Sequence, residues 1–574
     1  MTRRLRELVR TEQFWLGIIF LYYGMVNIAW LIADNVPPSF DQSIYLLKSF
    51  EFLRDVYSGD LSIFLQHVTS WHPHPPLLPL LAVPFHLALG ASFDSARLVN
   101  IPLILVLIVS IYFLSLEVTG DKLSSLVASF VTPSIPLIAT FSRYFEIDFL
   151  LVVVTVISML LLLRSDSFQA RRYTVLFAAS LVVGLLTKEL FWLFLLPPTA
   201  YVVVSRLRES SLLRERLFHR PRAVVVTIVG GAILAMVLVG YSLASLPFVL
   251  ASFEEGLLML ANGRYSPREW IDFHNDFIGF GISYFYLLAL IGVAIARIHS
   301  RTSRPASGNS RWWLLGLWFL IPYLYLSVVW NRDYRFAMPL MTMVAVAIAG
   351  CASTIGNRCL RYGLLFTVII GGSLQFYAQA FGIGVLPTRV VVDLPVLDRV
   401  ILFDQGYPGG SDAQFRDFPG GSDTYGSLYD GGSWRMRFSY VTHPDPSHWP
   451  IDEIVAYVSA DAVEASVYSP PILYVVPFHP YFSSFNFQVQ NVLMGIPVQI
   501  WPHRRETSLE EKIADVSSSD YLVTKTGLQG LPGRLLPYTS QILDLLEGAN
   551  LPFRRMERVF ALPDGSMATV WRRE

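Results

Sequence analysis

Carboxylates and cations stand beside apolar runs at several places in the chain. Asp41 follows Pro-Pro-Ser-Phe at the start of a helical pattern, Asp148 directly precedes a long apolar run, and Lys188 interrupts another. A carboxylate in such a place can take a proton from a hydroxyl group, and a cation can stabilise a departing phosphate. If the fold brings them to one side, these residue types indicate transfer from a phosphate-activated substrate.

The composition indicates the elements that must position these residues. Of 574 residues, 53% are hydrophobic and only 15% are charged, against about 25% charged in soluble domains. This excludes a soluble enzyme and a disordered chain, and the net charge of 0 offers no basic field for nucleic acid. Two cysteines are too few for a disulfide framework. The chain is therefore predicted to be an α-helical multi-pass membrane protein.

Arginine-rich segments decide which side of the membrane each loop faces. Four arginines lie in residues 1–10, three in 164–173, six in 205–222 and three in 296–304, and all belong in the cytoplasm by the positive-inside rule. These assignments require an even number of spans between residues 75 and 145. The apolar segment 76–92 is therefore predicted to lie on the outer leaflet without crossing the membrane. The result is about eleven spans, with the N-terminus in the cytoplasm. The predicted spans are 14–32, 97–118, 122–141, 149–163, 173–187, 189–205, 223–245, 281–297, 312–330, 336–354 and 362–383.

This topology places the candidate residues on the outer side. The first outer loop, 34–96, carries Asp41 together with two histidines in a Pro-rich run. Because the positive-inside rule disfavours arginines there and guanidinium matches phosphate geometry, an anionic ligand at the outer face would account for the cations. The cations predicted to contact it are His72, His74, Arg143, Lys188, His274 and Arg335.

Each residue also has a structural interpretation that the sequence leaves open. Asp41 could cap the N-terminus of a helix. Asp148 could pair with Arg143, and Lys188 could pair with its neighbour Glu189. Taken singly none of these residues identifies a reaction, whereas carboxylates and cations together on one face have the composition that transfer from a lipid phosphate requires.

Four segments in the same order resemble the type C membrane glycosyltransferases. They are PPSFDQSIYL, HPHPPLLPLLAVPFHLALG, TFSRYFEIDFLL and GLLTKE, with a weaker continuation in NRDYRFAMPL. The likeness is to the bacterial branch that includes protein O-mannosyltransferases and the lipid A aminoarabinose transferase. It implies a sugar donor on a polyprenyl phosphate, hexose or pentose, and an acceptor that is a glycan, a lipid or a protein.

The resemblance also implies roles for individual residues. The first-loop acid of the family falls on Asp41, which would activate the acceptor or bind a metal, and its later acid falls on Asp148, which would orient the acceptor or share that metal. The lysine of the Thr-Lys motif falls on Lys188, a phosphate contact, and Arg335 would help to hold the departing phosphate. The implied mechanism is a single displacement with inversion of the anomeric carbon.

Two departures from the family pattern bear on this reading. The family often has Asp-Glu where this chain has Asp41-Gln42, which leaves a divalent metal in doubt. The family's first-loop stretch carries a phosphate-binding lysine in one branch, and here His72 or His74 would have to serve. A histidine would make phosphate binding dependent on pH.

The chain is predicted to divide at residue 384 into a transmembrane glycosyltransferase domain, 1–384, and an extracytoplasmic α/β domain, 385–574. Alternating strand and helix patterns after residue 450 predict a small sheet with parallel strands, and the last two segments predict a hairpin. A Gly-rich stretch with two PGGSD copies, at 408–412 and 419–423, is predicted to be a long loop.

Two other functions compete with a transferase. A transporter or flippase for a lipid-linked sugar would use similar cations on the phosphate, but it predicts charged residues along a path inside the spans, and the predicted spans carry almost none. A protein that only binds or assembles glycolipids would tolerate the loss of Asp41.

Overall fold

The structure is a computed structural model in which helices predominate and a mixed β-sheet forms near the C-terminus. Residues His72 and His74, the predicted span 223–245 and the PGGSD stretch lie outside the residues that it describes. The described residues are 11–69, 75–209, 267–299, 309–328, 333–394, 398–405, 442–465, 470–501, 508–527, 529 and 538–574.

The helical part packs its apolar helices around one extensive core. The two helices that carry the most buried side chains run through its middle, at Ile147–Arg164 and Met338–Ser353. The helices are α1 Glu12–Ala33, α2 Phe40–Ser58, α3 Leu61–Thr69, α4 Leu77–Leu89, α5 Phe93–Arg97, α6 Asn100–Thr119, α7 Lys122–Ser134, α8 Pro136–Phe141, α9 Ile147–Arg164, α10 Arg171–Leu185, α11 Phe191–Glu209, α12 Pro267–Asp276, α13 Tyr284–His299, α14 Asn309–Val328, α15 Met338–Ser353 and α16 Arg358–Phe381, with a π-helix at Phe277–Ile282 and a 3-10 helix at Tyr334–Ala337.

Among the described residues, five helical segments are long and apolar enough to span a membrane, and a sixth arises if one bent pair counts as a single span. The pair bends by 87° at Ser283, whose backbone is in the left-handed region, with φ of 78°. The five segments are Glu12–Ala33, Phe93–Thr119, Ile147–Arg164, Tyr334–Ser353 and Arg358–Phe381.

Several other predicted spans coincide with shorter or interrupted helices. The predicted span 122–141 forms two helices, α7 and α8, because the chain turns extended at Ile135, before Pro136. The predicted span 173–187 corresponds to the 15-residue helix α10, and α11 contains Pro197 and Pro198. The described residues thus form a largely helical fold with several helices of membrane-spanning length and composition, and the count of about eleven spans stays a prediction.

The segment 34–96, which is predicted to be the first outer loop, is largely helical where the structure describes it and folds against the main helical core. Helix α4, within the segment predicted to lie on the membrane surface, has 13 residues, fewer than the roughly 20 that cross a bilayer. His86 of α4 is buried and contacts Ser49 of α2 at 2.9 Å and Ser95 of α5 at 2.7 Å. This histidine fixes three helices of the loop relative to one another, and α2 carries Asp41.

The chain beyond the last long helix begins with a hairpin that the sequence analysis did not anticipate. Strands β1, Arg389–Leu394, and β2, Asp398–Asp404, pair antiparallel. A second unit follows with α17 Ile451–Glu464, β3 Ile472–Val475, α18 Ser484–Met494, β4 Gln499–Ile500, α19 Leu509–Ser517, β5 Tyr521–Lys525, α20 Thr539–Glu547, β6 Phe553–Ala561 and β7 Met567–Arg573.

The strands β3 to β7 form one five-stranded sheet in the order β4-β3-β5-β7-β6. The alternation of strands and helices was predicted, and so was the terminal hairpin of β6 and β7. The prediction of parallel strands holds only for β3 with β4 and β5, because β7 returns antiparallel to β5 and pairs with β6. Two apolar clusters pack against the sheet.

Candidate active site

Asp41 lies in the first turn of α2, which begins at Phe40 after Ser39. Its carboxylate forms an ion pair with Arg335, at 3.1 Å between Oδ2 and Nη2. The neighbouring Gln42 is buried, and its side-chain oxygen accepts a hydrogen bond from the backbone amide of Phe145 at 3.3 Å. Gln42 stands where the family often has glutamate. Its side chain therefore links α2 to the segment before α9 through a hydrogen bond with a backbone amide.

Arg335 is held by the 3-10 helix and by the residue that begins it. Asp333 caps this helix by accepting a hydrogen bond from the Arg335 amide at 3.0 Å. The same carboxylate lies 2.9 Å from Nε of the Arg335 guanidinium. This double contact directs the guanidinium towards Asp41 and also towards Glu146, whose Oε2 is 3.5 Å from Nη1.

Glu146 is the buried carboxylate of this group. It immediately precedes α9 and its side chain is 7% exposed. Burial, and then the nearby Asp41, raise the pKa of Glu146 well above its ordinary value, although Arg335 opposes the shift. We therefore expect Glu146 to hold a proton over part of the pH range in which free carboxylic acids have lost theirs.

Asp148 and Lys188 form the second ion pair of the site. Asp148 is in the first turn of α9 and its side chain is 2% exposed, while Lys188 lies in the tight turn between α10 and α11 and is 13% exposed. The Lys188 ammonium donates to Oδ1 of Asp148 at 2.6 Å. Lys188 thus pairs with Asp148 and not with Glu189, and Asp148 pairs with Lys188 and not with Arg143.

Gly184 allows the turn that positions Lys188. The Lys188 amide donates to the Gly184 carbonyl at 3.1 Å. A Cβ on Gly184 would lie 2.3 Å from the ring of Phe191, so a larger residue would push the start of α11 away. The absence of a side chain at Gly184 lets α10 and α11 approach closely on either side of the lysine.

Phe336 joins the two ion pairs into one cluster. Its ring centroid lies 4.4 Å from the Lys188 ammonium and 5.3 Å from the Arg335 guanidinium carbon. Tyr45 is buried beside the same group, and its pKa is raised well above the ordinary value by burial and then by the nearby carboxylates. We call the following residues the carboxylate–cation cluster: Asp41, Glu146, Asp148, Lys188, Asp333 and Arg335.

The cluster contains more carboxylates than cations. With every group ionised, its four acids and two bases would carry a net charge of −2, which opposes the ionisation of the most buried acid. An anionic ligand would have to draw the ammonium and the guanidinium away from carboxylates that they already contact. Both cations are nevertheless held by carboxylates of the protein. A phosphate that bound to Lys188 and Arg335 would therefore be linked to the protein through two charged side chains.

Two of the predicted cations lie apart from the cluster. Arg143 is buried, where its Nε donates to Asn27 at 3.0 Å and its guanidinium lies against the rings of Trp30 and Phe376. Burial lowers the pKa of Arg143 to about 10. His274 bonds to the hydroxyl of Tyr323. The structure thus does not bring Arg143 and His274 to Asp41, and it does not describe His72 and His74.

Glu146, Asp333 and Tyr45 were not among the predicted site residues. Glu146 and Asp333 do stand in the same sequence segments as the predicted Asp148 and Arg335, and a charged residue next to a predicted one was the available signal. Tyr45 lies one helical turn after Asp41, which puts both on one face of α2. Nothing in its sequence surroundings marks it.

The cluster gives no clear support for a divalent metal between Asp41 and Asp148. Each of these carboxylates already holds a cationic side chain. In the described part of the chain, no three His, Cys, Asp or Glu residues stand together as metal ligands. The pairing of Asp41 and Asp148 with cationic side chains therefore does not fit a divalent metal between them, and no step below depends on one.

A change at Glu146 tests whether it is a buried acid with a raised pKa. Its contribution to stability should be complete below the ordinary glutamate pKa of about 4.3 and should be lost as the pH rises through the raised pKa of the folded protein. We expect the melting temperature of Glu146→Gln to rise relative to that of wild type as the pH increases above the ordinary glutamate pKa, because only the wild type must then ionise a buried acid. Thermal unfolding of both proteins across the pH range measures this. An unchanged difference at every pH would contradict the raised pKa.

Residues 73–236 match the family model of the dolichyl-phosphate-mannose-protein mannosyltransferases. The matched region contains Asp148, Lys188 and Glu146 but begins after Asp41. The match confirms the resemblance predicted from the sequence motifs. It also confirms the predicted class, a membrane glycosyltransferase with a lipid-linked sugar donor.

The solved structures that are similar to the chain include two of one bacterial protein and one of an archaeal protein. The first two are ArnT from Cupriavidus metallidurans in the apo state, at 13% identity and a TM-score of 0.47 over 96% of this chain and 98% of that chain, and the same protein bound to undecaprenyl phosphate, at 12% identity with the same TM-score and coverage. The archaeal oligosaccharyltransferase AglB from Archaeoglobus fulgidus, in complex with an inhibitory peptide and a dolichol-phosphate, is 12% identical at a TM-score of 0.45 over 97% of this chain and 74% of that chain. No curated protein sequence matches the chain.

Proposed function

We propose that the chain moves a hexose or pentose from a polyprenyl-phosphate carrier to an acceptor hydroxyl at the outer face of the membrane. The observation that carries this proposal is the pairing of Asp41 with Arg335 beside the pairing of Asp148 with Lys188. This arrangement supplies a carboxylate that can accept a proton and two cations that can hold a phosphate, within one cluster. The N-terminus lies in the cytoplasm, and residues 385–574 lie on the outer side.

The reaction is a single displacement at the anomeric carbon. Asp41 accepts the proton of the acceptor hydroxyl. At the same time the hydroxyl oxygen attacks the anomeric carbon from the face opposite the carrier phosphate. The bond between that carbon and the phosphate oxygen breaks, and the phosphate leaves with the bonding electrons. The product has the inverted anomeric configuration. Lys188 and Arg335 stabilise the charge that develops on the phosphate, and Asp148 orients the ammonium of Lys188.

Arg335 changes partner when the donor binds. In the free protein it contacts Asp41, and a carboxylate paired with a guanidinium is a weaker base than a free one. The donor phosphate is a good bidentate acceptor for a guanidinium, so it competes with Asp41. Because Asp333 and Glu146 keep their contacts with Arg335, the arginine stays in place while Asp41 is released to act on the acceptor.

Purified protein reconstituted into liposomes tests the function directly. A panel of polyprenyl-phosphate sugars is offered together with a membrane extract as the source of acceptor. We expect one donor to lose its sugar to the extract and to leave bare polyprenyl phosphate. Movement of intact donor between the bilayer leaflets without cleavage would instead support the flippase. Binding without either process would support a glycolipid-binding protein.

A further inference from the structure

The C-terminal domain contacts the segment that leads into Asp41 at several points, and three of these contacts carry the argument below. Asn35 donates from its backbone amide to the Asp445 carbonyl at 2.7 Å. The ring of Phe40 stacks on Phe478, with their centroids 4.5 Å apart. The third contact is the hydrogen bond from the Asn486 side chain to the Pro38 carbonyl at 2.6 Å. It joins two residues that are 448 positions apart in the sequence.

The hydrogen bonds of Asn486 use both ends of its side-chain amide. Its oxygen accepts from the amide and hydroxyl of Ser483 at 2.8 and 2.7 Å, which caps α18. Its nitrogen donates to Pro38 and, at 3.3 Å, to Pro480. Asn486 is 2% exposed, so the loss of either acceptor would leave one of its buried N–H groups unsatisfied, which is costly.

Pro38 connects Asn486 to the start of α2 through hydrogen bonds. Its carbonyl also accepts a hydrogen bond from the Ser43 hydroxyl at 2.8 Å. Ser39, the next residue, accepts hydrogen bonds from the Gln42 side chain at 2.9 Å and from the Ser43 amide at 2.8 Å. The first turn of α2 is therefore bonded to the C-terminal domain through Pro38 and to the segment before α9 through Gln42.

We propose that Asn486 is a positioning residue of the active site, which it completes by fixing the first turn of α2 and hence the Asp41 carboxylate. This inference rests on the proposed role of Asp41 as the base. It gives the C-terminal domain a part in the transfer step besides any contact with the acceptor. The ion pairs of Lys188 and Arg335 are formed with Asp148, Asp41, Glu146 and Asp333, none of which bonds to Asn486.

The variant Asn486→Asp tests the inference with little change of shape. The carboxylate keeps the acceptor that caps α18, but it cannot donate to the Pro38 carbonyl and repels it. We expect kcat for transfer to fall about 10- to 100-fold, because misplacing a reacting group by about 1 Å costs this much. The KM for the donor should stay close to that of wild type.

Asn491→Asp is the matched control. Asn491 lies on the same helix, and its side chain donates to the Val498 carbonyl at 2.7 Å, within the C-terminal domain. We expect it to lower the melting temperature to a similar extent and to leave kcat unchanged. Hydrogen exchange of residues 39–46 should accelerate in Asn486→Asp and not in Asn491→Asp.

The outcomes separate this inference from the proposed function. If wild type transfers sugar and the two variants have equal kcat and equal exchange in residues 39–46, Asn486 is not a positioning residue and the proposed function stands. If wild type transfers no sugar from any donor, the proposed function fails, and the positioning of a catalytic base fails with it. A fall in kcat matched by an equal rise in the donor KM would indicate general damage to the site and would also overturn the inference.

Discussion

Asp41→Asn is expected to lower the rate of sugar transfer by about 100- to 10,000-fold, the usual contribution of a general base. Asparagine has nearly the shape of aspartate but cannot take the proton of the acceptor hydroxyl. Removing the Asp41 charge also frees Arg335 from the contact at 3.1 Å, so affinity for the donor should be retained or increased. Transfer rates and donor affinity, measured on the same preparation, report the two effects separately.

Glu51→Gln provides the control for this change. Glu51 lies on the same helix as Asp41, is 30% exposed and pairs with Lys48, away from the carboxylate–cation cluster. We expect its transfer rate to equal that of wild type. Wild-type rates in Asp41→Asn would remove Asp41 from the reaction, and loss of donor binding in that variant would make Asp41 a binding residue instead.

Lys188→Met is expected to abolish donor binding and to destabilise the protein by about 3–5 kcal/mol, the cost of leaving a buried charge unpaired. Asp148 is 2% exposed and would lose its partner at 2.6 Å. Adding Asp148→Asn should restore much of the lost stability, because the double variant buries no unpaired charge. It should restore no donor binding, since the phosphate contact is still missing. Unfolding and donor binding are measured on wild type, on the Lys188→Met and Asp148→Asn single variants and on the double variant, which together form a double-mutant cycle.

Lys122→Met serves as the control lysine substitution. Lys122 pairs with Glu12 near the starts of α7 and α1, and its side chain is 67% exposed. We expect no measurable loss of stability or of donor binding. Recovery of donor binding in the double variant of Lys188 and Asp148 would show that the lysine serves only to neutralise Asp148, and it would contradict a phosphate contact.

Much of the candidate site could be predicted because charged residues next to apolar runs are costly and need a reason. Asp41, Asp148, Lys188 and Arg335 were predicted on this ground and on the resemblance, and the structure brings all four into one cluster. Which acid pairs with which base depends on how the helices are rotated at their ends. The sequence pattern leaves that rotation open, so it offered Arg143 as the partner of Asp148 and Glu189 as the partner of Lys188, and it did not indicate the observed pair.

The parts of the fold that escaped prediction depend on contacts between distant residues. The hydrogen bond between Asn486 and Pro38 and the stack of Phe40 on Phe478 join segments with no common pattern in the sequence. The mixed sheet has a similar cause, because the terminal hairpin was recognisable but its insertion beside β5 was not. Proline explains the split of the predicted span 122–141, since the residue before a proline is driven out of the helical region.

The most direct test of the central claim is the fate of the donor in a single turnover. Wild-type protein in lipid nanodiscs is loaded with the donor selected by the panel, acceptor is added, and the bound lipids are identified by mass spectrometry. We expect intact donor to disappear, bare polyprenyl phosphate to appear in equal amount, and the product sugar to have the inverted configuration. Donor that stays bound and intact with every acceptor would contradict it.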